Sequence, residues 1–90
     1  MTWKKREDPG YEEARQRVLK RDKHTCQMPG CKCKNRRKLQ VHHILEYSRF
    51  PSLRVMDSNL ITLCIKCHKS IRGKERFYVQ MFNSIVNSKK

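Results

Sequence analysis

Residues 39–44 read Leu39-Gln40-Val41-His42-His43-Ile44, and residues 59–68 read Asn59-Leu60-Ile61-Thr62-Leu63-Cys64-Ile65-Lys66-Cys67-His68. Lys38 to Ile44 alternates well enough for a short strand, with Leu39 and Val41 on one face. Leu60 to Leu63 predicts a second short strand. The first strand ends in a histidine doublet. The second leads into a Cys-x2-Cys knuckle with a histidine directly behind it, at a helix start. These two stretches decide the fold.

Upstream lies a second knuckle, Cys26-Gln27-Met28-Pro29-Gly30-Cys31. A tight turn in each knuckle brings two thiolates to one side, so the pair can present four sulfurs to one tetrahedral zinc. Cys26, Cys31, Cys64 and Cys67 are therefore the expected structural zinc ligands. Cys31 is favoured over Cys33 because Pro29-Gly30 supplies turn chemistry directly before it. Cys33 and His24 are spare donors, and either is able to displace the fourth ligand. Otherwise His24 reads as surface. An odd count of five cysteines argues against a disulfide framework and for a thiolate site in a reducing compartment. The N-terminus is basic but has no apolar h-region, so no secretory signal is expected.

The chain around these motifs is short and basic. Its 90 residues carry 22 Lys+Arg against 8 Asp+Glu, a formal charge of +14, and only 37% are hydrophobic. One domain over residues 1–90 is expected, with 1–8 and 87–90 frayed. A core this thin needs a staple, and zinc supplies it. No run of eighteen apolar residues exists, which excludes a membrane span. The charge points to a polyanion, nucleic acid before anionic lipid.

Asp8-Pro9 reads as an N-cap with proline at the first helical position of a helix over about 10–22, whose stripe is Tyr11, Ala14 and Val18. Residues 46–56 read as a loop. A helix is expected from Cys67 to about Val86, loosened near Gly73, with Phe77, Tyr78, Met81, Phe82 and Ile85 as core. The order is helix, strand, strand, helix around zinc, an α+β fold.

A structural zinc ribbon needs only the four cysteines, so the histidines ask for another explanation. Once zinc gathers the segments, His68 can approach the doublet. Two imidazoles from separate elements can hold a divalent ion and leave positions open for water and phosphate. The remaining histidine can accept a proton at neutral pH. Neighbours in a regular strand point to opposite faces, however, so the strand is expected to twist or break at the doublet. Asn59 can alternatively cap a turn after Asp57-Ser58.

His42-His43, Asn59 and His68, set between Cys-x4-Cys and Cys-x2-Cys knuckles, resemble an HNH endonuclease of the ββα-metal class. The resemblance covers roughly residues 17–75, including Val18 to Asp22 and Thr25-Cys26-Gln27, and is close to small free-standing HNH proteins of tailed bacteriophages. It implies a zinc-stapled ββα-metal fold that hydrolyses DNA phosphodiesters with a divalent ion, magnesium or manganese, with zinc or nickel as alternatives. It implies His43 as general base and His42 and His68 as ligands of that ion. Asn59 would hold the strand and loop around the base, and the usual product is a 3′-hydroxyl and a 5′-phosphate. By the same resemblance, phage terminase and portal proteins are partners, DNA packaging the setting, and the cytoplasm of an infected host the location.

Lys32, Lys34, Arg36, Arg37 and Lys38, with Lys69 and Arg72 beside His68, are candidate DNA phosphate contacts. Lys66, Lys74 and Arg76 decorate the same helix. Nothing resembles a helix-turn-helix, so weak sequence specificity and strong salt dependence are expected. A monomer is expected over a dimer. The competing readings are a non-catalytic zinc-ribbon nucleic-acid binder and a module docking onto an acidic protein. The zinc ribbon has no need for His42, His43 and His68, and the thin core and the charge leave the protein-docking module open.

Overall fold

The computed structural model describes residues 10–45 and 55–89. Helix α1 spans Tyr11–Arg21, strand β1 Leu39–His43, strand β2 Leu60–Cys64, helix α2 Ile65–Ser70 and helix α3 Val79–Asn87. Short 3-10 turns occupy Arg36–Lys38, Asp57–Asn59 and Glu75–Tyr78. The expected α+β class is the one observed. Asp8, Pro9 and most of the 46–56 loop lie outside the described residues.

Helix α1 starts from Gly10, which takes a left-handed φ of 80° and supplies no side-chain cap. Glu12 and Glu13 occupy its first turn and Lys20 and Arg21 its last, as the helix dipole favours. At the C-terminus, the His24 N–H donates to Leu19 O and the Lys23 N–H to Lys20 O, a Schellman closure. Lys23 and His24 both take positive φ, 56° and 50°, to make it.

β1 and β2 pair antiparallel, with Leu39 opposite Cys64, His42 opposite Ile61 and His43 opposite Leu60. The ladder runs unbroken through the doublet, so the expected break in the strand is not there. Asn59 keeps the pairing going past His43. Its backbone carbonyl accepts the Ile44 N–H at 2.8 Å, and its side-chain oxygen accepts the Leu45 N–H at 2.9 Å. Asn59 therefore clasps the exit of β1 rather than capping its own turn.

The sheet is covered on both sides. Ala14 and Val18 of α1 pack with Leu60 on one face. On the other, Ile61 and Leu63 pack with Ile71, Phe82 and Val86 and with Cys26 and Cys64 of the knuckles. β2 is buried along its whole length, which is why it reads as an apolar run with one threonine.

The single long C-terminal helix is instead two helices. α2 begins earlier than expected, at Ile65, where the Cys64 sulfur accepts the Cys67 N–H at 3.4 Å. It ends at Ser70, and Gly73 at φ 81° turns the chain before α3. The turn breaks the phase of the apolar stripe. Phe82 is buried and Tyr78 packs at the edge of the core, but Phe77 is 71% exposed. Phe77 is not a core residue.

Candidate active site and metal centres

The two knuckles converge as their spacing predicts. Sulfurs of Cys26, Cys31, Cys64 and Cys67 all lie within 4.8 Å of one another. Cys31 Sγ and Cys64 Sγ stand 3.8 Å apart, which matches the edge of about 3.8 Å set by four sulfurs at about 2.3 Å from one zinc. All the cysteines are free of disulfides. Burial pushes the Cys26 and Cys67 thiols up in pKa. Burial also acts on Cys64, but the Cys67 backbone N–H and the surrounding thiols bring it down to about 7. Four sulfurs gathered this closely are a donor set for a thiophilic cation such as zinc. Cys33 stays outside the cluster, packed at the margin of the core, with its carbonyl accepting the Cys26 N–H at 2.8 Å. His24 closes α1 instead of joining the cluster.

On the α2 side of the sheet, the His42 ring meets His68 edge-on, with centroids 5.2 Å apart, and rests against Phe82 at 5.7 Å. His42 is 7% exposed, and its Nε2 is buried with no hydrogen-bond partner. Burial, together with His68 nearby, lowers its pKa to about 4. The ring is thus neutral at physiological pH, with a buried polar atom that lacks a partner. A neutral imidazole of this kind beside a second one suits a divalent ion.

His43 goes the other way. Its ring stacks on Tyr11 of α1 at 5.8 Å and 15°. The doublet is therefore split across the sheet, one ring on each face. A groove of about 390 Å³ relates the two sides. It is lined by Leu39, Gln40 and Val41 of β1, by Tyr11 and Arg15 of α1, and by His68 and Arg72. No residue of β2 lines it, so it follows the side of β1 that faces away from its partner strand. Tyr11, the neighbour of His43, and His68, the neighbour of His42, thus open onto the same space. Among the described residues no strand pairs with this side of β1, and such an edge is where residues from opposite faces can both be approached.

Among the expected phosphate contacts, Arg72 lines this groove, while Lys32 and Lys34 border a separate hollow of about 450 Å³ beside the first knuckle. Arg36–Lys38 form the turn into β1, capped by Asn35, whose side chain accepts the Arg37 N–H at 3.1 Å. Lys69 is exposed on α2. Sequence reasoning missed Arg15, Tyr11 and Gln40. Gln40 meets His68 Nδ1 at 2.8 Å, and nothing local in the sequence signals that contact.

Compared with protein-family models, residues 26–73 match HNH endonuclease, a span of more than half the chain. The chain belongs to the HNH endonuclease family. No curated protein and no solved structure gives a significant match. The HNH match begins at the first knuckle, passes through the doublet and Asn59, and ends at Gly73, where α2 has turned away. α1 and α3 lie outside it. Among the described residues, no helix is long and apolar enough to cross a membrane.

Proposed function

We propose that this HNH protein is a metal-dependent endonuclease that hydrolyses DNA phosphodiesters with low sequence specificity. The observation that carries the reading is the buried, unpartnered Nε2 of His42 set against His68, at the margin of an arginine-lined groove. A purely structural zinc domain gains nothing from an uncompensated buried nitrogen, which costs about 1–3 kcal/mol.

In this reading His42 and His68 hold the divalent ion, magnesium or manganese. When bound, the ion supplies positive charge beside the phosphate as negative charge grows in the transition state. Arg15 and Arg72 hold the flanking phosphates in the groove. His43 accepts a proton from a water molecule whose oxygen bonds to phosphorus as the P–O3′ bond breaks, and the departing oxygen takes a proton from solvent. The split of the doublet across the sheet counts against both rings addressing a phosphate on one face, so this reading requires the scissile phosphate to lie at the edge of β1 away from β2. Tyr11 keeps the His43 ring in place, and Asn59 keeps β1 from fraying there. Lys32, Lys34, Arg36, Arg37, Lys38 and Lys69 extend the phosphate contacts. The resemblance to small phage HNH proteins supports a setting in DNA packaging, inside an infected cell, alongside terminase and portal proteins.

The test is conversion of supercoiled plasmid with magnesium or manganese, comparing wild type with His43→Ala at equal zinc content. Cleavage by wild type that falls at least about a hundredfold in the variant supports the assignment. Equal cleavage by both rejects His43 as the base. Binding without cleavage in either protein favours a non-catalytic zinc-ribbon binder.

A further inference from the structure

His68 lies in the last turn of a six-residue helix, and its ring needs a second anchor if it is to stay in one orientation. That anchor is Gln40, whose Oε1 meets His68 Nδ1 at 2.8 Å across 28 residues of chain. Gln40 and His42 are two apart on β1, so their side chains leave the same face of the strand. One strand thus contributes both a metal-binding candidate and the group that touches its partner. An amide oxygen only accepts, so this contact requires the proton on Nδ1 and leaves Nε2 as the lone-pair atom.

We propose that Gln40 is a positioning residue. It locks His68 in the Nδ1–H tautomer, presents Nε2 as the ligand atom beside His42, and so sets the affinity of the two-histidine site for a divalent ion. The inference rests on the reading of His42 and His68 as that site. Metal-bound histidines commonly have their second nitrogen held by an acceptor, and removing the acceptor costs about 10–100-fold in metal affinity. A neutral amide orients the ring without adding negative charge to the ion's surroundings. A carboxylate at the same place would orient it equally and make it a stronger donor. That difference separates positioning from mere packing.

The experiment uses the full chain with its cysteine site zinc-loaded. Long-range proton–nitrogen spectra of the imidazoles, recorded before further metal is added, report the His68 tautomer. Calorimetric titration with Ni²⁺ then reports affinity for Gln40→Met, Gln40→Glu and His42→Ala. The expected results are an Nδ1–H tautomer in wild type, affinity lowered about 10–100-fold in Gln40→Met, and affinity retained or raised in Gln40→Glu. Gln40 is exposed, so the thermal midpoint of each Gln40 variant should stay at that of wild type. An Nε2–H tautomer in wild type overturns the proposal. So does wild-type affinity in Gln40→Met while His42→Ala has lost binding. If His42→Ala also binds as wild type does, the two-histidine site itself is wrong, and this proposal falls with it.

Discussion

Cys31 and Cys33 are two residues apart, yet only Cys31 reaches the four-sulfur cluster. The turn at Met28–Cys31, closed by the Cys31 N–H to Met28 O at 2.9 Å, aims that sulfur inward. Cys31→Ser should therefore lose the zinc that a chelating dye measures in the purified protein, whereas Cys33→Ser should retain one zinc per chain. Zinc lost equally from both would reject the ligand set. A second residue-scale outcome concerns Lys23, which closes α1 at φ 56° in the position where glycine is usual. Lys23→Gly should stabilise the fold by about 0.5–1 kcal/mol in thermal melts, because a left-handed conformation costs a non-glycine residue about 1–2 kcal/mol and glycine's greater unfolded-state freedom offsets part of the gain. Metal-ligand candidates were legible in the sequence because residue type and spacing define them. The contacts of Gln40 and Tyr11 with the histidines, and the place of Arg15 in the groove, were not, because they arise only when α1 and α2 close on β1 from opposite sides.

Between elements, the fold is tied by a polar node at the end of α1. Asp22 is 1% exposed; it accepts the Thr62 N–H of β2 at 3.0 Å and binds the Arg21 guanidinium at 2.9 and 3.0 Å. Arg21 continues to the carbonyls of Asp57 and Leu60, at 2.8 and 2.7 Å. Asp22→Ala leaves the half-buried Arg21 guanidinium without its carboxylate and the buried Thr62 N–H without its acceptor, which should cost about 3 kcal/mol and lower Tm by more than about 10 °C. The outer pair, Arg17 with Asp57 at 2.9 Å, is solvent-exposed, so Arg17→Ala should leave Tm close to that of wild type. Comparable losses in the two variants would mean that burial does not govern this node. Element identity was readable where one period persists, as in α1 and both strands. It failed after Cys67. The apolar residues from Phe77 to Ile85 fit a helical stripe, but Gly73 and the 3-10 turn at Glu75–Tyr78 reset its phase, and Phe77 falls on the solvent side.

At the scale of the whole molecule, two quantities dominate: a small core joined through the cysteine cluster, and a net charge of +14. Cys26 and Cys64 belong to the same buried cluster as Phe82 and Ile71, so the cysteine cluster and the core are not separable. Stripping zinc with a strong chelator should abolish the cooperative thermal transition, and restoring zinc should return it; a chelated protein that melts as before would show the cluster to be dispensable. The charge governs binding instead. Lys32, Lys34, Arg36, Arg37 and Lys38 precede β1, and Lys69 and Arg72 flank His68, all of them exposed. If about six of these groups, with Arg15, each neutralise one phosphate, log affinity should fall with log salt at a slope of about −5. Between 50 and 200 mM salt that is a loss of about a thousandfold. Arg15→Ala and Arg72→Ala should each flatten the slope by about one, with similar effect on every DNA sequence tried, as expected of backbone contacts. Lys20→Ala, an exposed position on α1 that does not line the groove, is the control and should change the slope less. A slope shallower than about −2, or equal flattening by all three variants, would show that the groove beside β1 is not where the DNA backbone lies.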